Sequence, residues 1–212
     1  MEADWSVALA ADDPVITVPW ASSADDTRKC HFVDLRLGEH LIDEIEEARA
    51  RPALRSALLL LNSAKSQLWT AKCDAWSSSA AEGGEPFDSY EMDAEPGETS
   101  FGAGCYVDLL PRDFALLSSF EGQERWIRVT TKALRVIPAN AARVELVLRH
   151  AQVEGTKGFG VTWFVEGCGA TAPRAAEAWA GALNLALPVI MDAHGGDATR
   201  RPADDTMAGT GE

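Results

Sequence analysis

At 212 residues the chain is long enough to bury the core of one domain, and 46% of its residues are hydrophobic, as in ordinary globular proteins. No apolar run approaches the roughly 18 residues that a membrane-spanning helix requires, which predicts a soluble protein that does not enter membranes. The net charge of −14 argues against nucleic-acid binding, because such binding needs clustered cations.

The acidic charge is concentrated at the margins and in one internal segment. Residues 1–27 carry six acids and no base, residues 77–100 carry seven acids and no base, and residues 193–212 carry four acids and two arginines. The remainder is almost neutral. These polar segments are therefore predicted to be flexible and to confer solubility on a neutral core, or else to attract a basic partner.

The N-terminal residues are acidic where a secretory signal would be basic, and the four cysteines are widely spaced. Both features predict a cytoplasmic protein with reduced cysteines. The four histidines are scattered, and no phosphate-binding loop or spaced set of metal ligands is present. We therefore expect neither a metal nor a cofactor.

Hydrophobic periodicity predicts an α+β fold, with a mixed or antiparallel sheet and helices packed mainly on one face. We expect a flexible arm at residues 1–13, a single domain at 14–192 and a disordered tail at 193–212. The predicted strands are residues 15–20, 30–35, 66–76, 106–110, 143–153 and 158–167. The predicted helices are residues 38–51, 53–61, 113–137 (as one helix or two) and 171–192, and the acidic segment 77–100 is predicted to be a long flexible loop.

Three of these elements carry specific expectations. Pro19 indicates that the first strand lies at an edge of the sheet or ends there. Thr171 is expected to cap the last helix, with Pro173 in its first turn. In the helix that begins after Gly38, Leu41, Ile42, Ile45 and Ala48 share the buried face, and the neighbouring acids point outward.

The two strands at 143–153 and 158–167 are predicted to form a hairpin with its turn near residues 155–157. That turn places Val147 with Val161 and Trp163 on one face, and Leu148 with Thr162, Phe164 and Glu166 on the other. Both faces are then substantially apolar, and helices cover only one of them. We therefore expect a homo-oligomer, most simply a dimer, that buries the second face.

Two stretches of the chain share an order of landmarks. Val33-Asp34-Leu35 and Val107-Asp108-Leu109 each follow a cysteine by a few residues, and each precedes a helical segment and a strand. The pattern suggests an internal duplication of a β-α-β unit, with chance similarity as the alternative.

The most concentrated candidate site lies between Trp69 and Trp76. On a strand, Lys72, Asp74 and Trp76 project to the same side, so an ammonium, a carboxylate and an indole form one patch that could contact a partner or a small polar ligand. The simpler interpretation is an ion pair beside a packing tryptophan.

Three further carboxylates are candidates. Asp34 and Asp108 occupy matching positions in the two stretches, so they could act together on a ligand, although a structural role at strand ends is the simpler interpretation. Glu166 ends the predicted hairpin strand on the same face as Thr162.

Two functional hypotheses follow. The first is a binding or assembly module that self-associates through a sheet face and uses the Lys72, Asp74 and Trp76 patch to contact a protein or a small polar ligand. The alternative is a small hydrolase or transferase with its site near the Trp69–Trp76 strand, under the 77–100 loop. The first is preferred because no set of nucleophile, base and orienting group converges in the sequence, and no catalytic residue is assigned.

Overall fold

The computed structural model describes residues 1–22, 30–80, 87–95 and 97–192. The strands are β1 (Glu2–Ala8), β2 (Ile16–Val18), β3 (Leu68–Ser79), β4 (Phe101–Pro111), β5 (Ala142–Val153) and β6 (Thr156–Gly169). The helices are α1 (Glu46–Ala50), α2 (Pro52–Asn62), α3 (Phe114–Leu117), α4 (Phe120–Leu134) and α5 (Ala172–Asp192), with 3-10 helices at Leu35–Leu37 and Glu39–Glu44.

The six strands form one mixed sheet in the order β1-β5-β6-β4-β3. The neighbours from β5 to β3 are antiparallel, whereas β1 and β2 lie end to end along β5 and run parallel to it. Helices α2, α4 and α5 pack on one face of this sheet and enclose the main hydrophobic core. The predicted α+β class and the one-sided packing of helices are confirmed.

The β5–β6 hairpin corrects the predicted assignment of faces. Its turn is Glu154-Gly155, both with positive φ, so Leu146 pairs with Trp163 and Val147 pairs with Thr162. The predicted turn was one residue too far along the chain. Because side chains alternate with a period of two, that slip exchanged the faces of one strand relative to the other.

The corrected register separates the faces by polarity. Side chains on the helix side are apolar and fully buried, among them Val144, Leu146, Leu148, Val161, Trp163 and Val165. The opposite face, here called the polar face, carries Glu145, Val147, Arg149, Thr162, Phe164 and Glu166. The apolar second face on which the expectation of a homo-oligomer rested is therefore not present, and self-association stays a prediction without that support.

The N-terminal prediction is wrong for residues 2–8, which form strand β1 and not a loose arm. The Met1 amino group donates to the Ile137 carbonyl at 2.7 Å, and Ala3 is buried in the main core. This short strand has few large apolar residues, and its position depends on pairing with β5, whose paired residues lie 141 positions away. Distant pairing of this kind leaves little signal in a local pattern.

The predicted strand at 30–35 is also wrong. Asp34 caps a 3-10 helix through its side chain, and only an isolated bridge joins His31 to Ala21. Val107-Asp108-Leu109, by contrast, lies within β4. The two stretches therefore differ in structure, and the proposed internal duplication is not supported.

Other predictions hold with changed bounds. β2 lies at the edge beside β5 and ends before Pro19, as expected. Residues 113–137 form two helices, and α5 follows Thr171 and continues through Pro188. No helix in the described part of the chain is long and apolar enough to cross a membrane. The predicted disordered tail, residues 193–212, lies outside the described residues.

The acidic segment 77–100 is partly ordered. Residues 77–79 belong to β3, and the described residues after 86 pack on the polar face, with Met92 and Thr99 fully buried. The carbonyl of Asp93 accepts from the Ala141 N–H at 3.4 Å, and Glu91 forms an ion pair with Arg143. These contacts hold this part of the segment against the sheet.

Candidate functional site

Strand β3 positions most of the predicted site residues. In the described part of the chain β4 is the only strand that pairs with it, so its other side, here called the outer edge, borders the loops and helices around α1. The register shifts between Thr70 and Cys73, where Ala71 and Lys72 together oppose Asp108. This β-bulge changes the direction in which the side chains at the middle of the strand point.

A cavity of about 570 Å³ lies along the outer edge of β3. Its floor is the strand from Thr70 to Asp74, and its walls come from the segments before α1 and around β2. The lining residues are Trp20, Ala21, Ser22, Cys30, His31, Val33, Glu44, Ile45, Glu46, Glu47, Arg49, Leu58, Thr70, Ala71, Lys72, Cys73 and Asp74. The volume is in the range of small-ligand sites.

The cavity is acidic. Four carboxylates line it, on Glu44, Glu46, Glu47 and Asp74, against two cations. None of the four forms an ion pair with another described residue. A partly enclosed cavity with more carboxylates than cations has a negative potential, so it attracts cations.

Lys72 and Asp74 therefore share one site, as predicted, but each has a local partner. The Lys72 ammonium lies 5.2 Å from the centre of the Trp20 ring, within reach of a cation–π interaction. The Asp74 carboxylate accepts the N–H of Ala75 at 2.7 Å. The Trp20 indole donates to the Ala71 carbonyl at 2.8 Å, which attaches the cavity wall to the strand.

Trp69 does not join this group. It is 4% exposed and packs in a second small core with Ile16, Val18, Leu110 and Leu117. The Arg36 guanidinium stacks 3.8 Å from its ring centre, and Asp34 holds that guanidinium through two hydrogen bonds of 2.8 and 2.7 Å. These hydrogen bonds lower the pKa of Asp34.

Asp34 thus has a structural role, which the sequence indicated as the simpler interpretation. Asp108 lies elsewhere, in β4 on the polar face, with different partners. The structure does not bring the two aspartates together, and the described residues contain no group of three or more His, Cys, Asp or Glu side chains that could hold a metal.

Asp108 is the most perturbed carboxyl group of the polar face. It is 8% exposed and accepts a hydrogen bond of 2.7 Å from the Thr162 hydroxyl, which in turn accepts from Arg149 Nε at 2.9 Å. Burial raises the pKa of Asp108 to about 6, against the lowering effects of Thr162, Arg149 and Lys72. This carboxyl group can therefore gain or lose a proton near neutral pH.

Trp76 and Glu166 flank the same face at its other end. The indole of Trp76 covers Gly104, the residue that pairs with Glu166 on the adjacent strand. Glu166 lies 3.2 Å from an Arg143 nitrogen, and burial raises its pKa. Asp74 pairs with Tyr106 and Trp76 with Gly104, so these two side chains share the polar face as predicted. Lys72 and Asp74 also line the cavity, whereas Trp76 and Glu166 lie beyond it.

The remaining groups give little support to catalysis. Burial raises the pKa of Cys105 to about 12 and that of Cys168 to about 11, so both are thiols at neutral pH and weak nucleophiles. The described residues of the 77–100 segment do not line the cavity: Phe87 packs on Gly102 and Glu91 contacts Arg143.

Sequence reasoning missed four cavity residues: Trp20, Glu44, Glu46 and Glu47. The three glutamates were assigned to the solvent-exposed side of a regular helix. Glu44 and Glu46 are exposed, as that assignment predicts, and Glu47 is half-buried. The sequence did not show that the chain changes from 3-10 to α geometry at Ile45 and that this segment lines the cavity beside β3. The chain matches no protein-family model, and no curated protein or solved structure is significantly similar to it.

Proposed function

We propose that this protein is a binding module and that its site, the cavity beside β3, takes a cationic ligand. The observation that carries this proposal is the set of four cavity carboxylates without ion-pair partners among the described residues. Glu47 and Asp74 are half-buried and so interact more strongly with a ligand charge than the exposed Glu44 and Glu46 do.

The mixed lining supports recognition of a ligand with both charge and apolar surface. Trp20, Val33, Ile45 and Leu58 contribute apolar walls, while the acids lie beside them. Such a site suits an amine or guanidinium carried on a hydrocarbon stem, because the stem packs on the apolar wall and the charge reaches a carboxylate.

Isothermal titration calorimetry at low salt tests the proposal, with spermidine and arginine amide as cationic probes and succinate as the anionic control. We expect the cations to bind, with affinity that falls as salt is added, and succinate not to bind. The double variant Glu44→Gln, Glu47→Gln should weaken binding at least tenfold. Equal binding of succinate, or an unchanged double variant, would refute the assignment.

The matched control is Glu121→Gln with Glu177→Gln, which removes two exposed glutamates from α4 and α5, outside the cavity. It changes the net charge by the same amount. If this control weakens binding as much as the cavity variant does, the effect comes from overall charge and the cavity is not the site.

The alternative of a small hydrolase or transferase is favoured by one observation, the raised pKa of Asp108, since an acid–base catalyst needs a pKa near the working pH. It ranks second because no described residue beside Asp108 is an activated nucleophile. A catalytic role predicts that any hydrolase activity depends on pH near 6 and is lost in Asp108→Asn.

Cytoplasmic location and homo-oligomerisation, with a dimer as the simplest form, also remain proposals. Native mass spectrometry tests the second of them: a mass of one chain would refute it, and whole-number multiples would support it.

A further inference from the structure

Building on the proposed function, we propose that the ligand is an extended basic segment of another protein, which adds to the outer edge of β3 as a further strand. Three observations lead to this inference: the direction of the main-chain groups of β3, the subset of them that already has partners, and the charge of the cavity.

The first observation concerns direction. The N–H of Ala80 donates to the Ser100 carbonyl at 2.8 Å, so Ala80 turns its main-chain groups toward β4. Alternate residues of an antiparallel strand share that direction. Ala80, Ser78, Trp76 and Asp74 therefore face β4, while Ser77, Ala75 and Cys73 turn their main-chain groups toward the outer edge.

The second observation concerns partners. At the start of β3 and in the bulge, side chains already bond to the main-chain groups of the outer edge. The Thr70 N–H donates to Asn62 at 3.1 Å, and the Ala71 carbonyl accepts from Trp20 at 2.8 Å. Further along, the Ala75 N–H donates to Asp74.

The main-chain N–H and C=O groups of Cys73 and Ser77 point to the outer edge. Within residues 1–22, 30–80, 87–95 and 97–192 they form no main-chain hydrogen bond there. Cys73 also lines the cavity. Main-chain groups at a sheet edge that lack partners form a template for a peptide strand, which pairs with every second residue of the edge. The side chains of Asn62 and Trp20 occupy the main-chain groups of Thr70 and Ala71, which limits the added strand to the Cys73–Ser77 part of β3.

The third observation selects the occupant. The added strand begins at Cys73, which lines the cavity together with Glu44, Glu46 and Glu47. Lys or Arg side chains at this end of the strand would meet these carboxylates. A second copy of the chain is disfavoured, because each copy has a net charge of −14. Charge complementarity thus favours a basic segment from a different protein.

Fluorescence anisotropy with the full chain tests the inference. The probe is a fluorescein-labelled octapeptide of alternating Lys and Val, compared with the same sequence carrying an N-methyl group on every backbone nitrogen. Both peptides have the same side-chain charges, but the second cannot donate from its backbone. We expect the parent to bind at least tenfold more tightly, and an alternating Glu-Val peptide not to bind.

Amide hydrogen exchange locates the contact. We expect the parent peptide to slow exchange of the Cys73 and Ser77 amides at least tenfold and to leave the Thr70 amide unchanged, since Asn62 already holds that group. Ser77→Pro removes one outward N–H at an edge position where proline is tolerated, and it should weaken peptide binding about tenfold without changing spermidine binding.

The outcomes separate this inference from the proposed function. If the methylated peptide binds as well as the parent, the site recognises cations but adds no strand, so the inference fails and the proposed function stands. If neither peptide nor spermidine binds, both fail. Slow exchange at Cys73 and Ser77 without peptide, together with a dimeric mass, would show that a second copy occupies the edge and would overturn the inference.

Discussion

Asp108 offers the sharpest test of the structural reasoning, because the fold holds an ionisable group where its charge is costly. The folded chain raises its pKa from 3.8 to about 6, mainly through burial. The folded state therefore binds the proton more tightly than the unfolded state does. Stability falls as the pH rises from about 4 to about 6, and above pH 6 the full cost of roughly 3 kcal/mol is present.

Asp108→Asn removes that cost while keeping the shape of the side chain. The amide oxygen can still accept the Thr162 hydroxyl, which lies 2.7 Å from the carboxylate oxygen in the wild type. The new amide N–H₂ is buried without a hydrogen-bond acceptor, which lowers the gain in the free energy of unfolding by about 1 kcal/mol. We expect the variant to be about 2 kcal/mol more stable than the wild type at pH 8, and to lose this advantage at pH 4.

Urea denaturation followed by fluorescence of the seven tryptophans measures the difference at each pH. Asp12→Asn, at an exposed aspartate, is the matched control and should change little at either pH. The burial argument is refuted if Asp108→Asn destabilises the protein at pH 8, or if its effect does not vary between pH 4 and pH 8.

Three further predictions concern packing and the polar face. Thr162→Val removes the donor to Asp108 and the acceptor of Arg149. It should lower the free energy of unfolding by about 1–3 kcal/mol. It should also raise the pKa of Asp108 further, as an NMR titration of that carboxyl group would show. Gly167→Ala should destabilise the protein by about 3 kcal/mol in the same urea assay. The reason is that the added Cβ overlaps the backbone of Trp179 where α5 crosses β6. Gly181→Ala is its counterpart, since the added Cβ meets nothing within 4 Å and alanine favours the helix. We expect the free energy of unfolding to rise by about 1 kcal/mol. A fall would contradict the described exposure of this side of α5.

Local patterns in the sequence determined much of the architecture. The apolar stripe of α5 and the helical region between residues 113 and 137 are short-range features, and both formed where they were predicted. The Gly-containing turn of the last hairpin also formed, one residue earlier than predicted. The same holds for Pro19, whose missing N–H restricts it to a strand end or an edge. Such features depend on neighbouring residues, so one sequence is enough to detect them.

Tertiary structure decided the elements whose stability comes from distant partners. Strand β1 exists because β5 provides its hydrogen bonds. Among the described residues no strand pairs with residues 30–35, which form a loop, an isolated bridge to Ala21 and the start of a 3-10 helix instead. The faces of β6 depended on a turn only one residue from the predicted position, because a period of two converts a single-residue slip into a complete exchange of faces.

The candidate site was likewise predicted in part by the sequence and decided in part by the tertiary structure. The sequence singled out Lys72 and Asp74 because charged residues alternate on one strand, and both line the cavity. It could not separate Trp69 from them, because Trp69 lies before the bulge and stacks against Arg36 from another segment. Nor could it bring Trp20 and the glutamates of residues 44–47 to the edge of β3, since only the packing of distant segments creates a cavity.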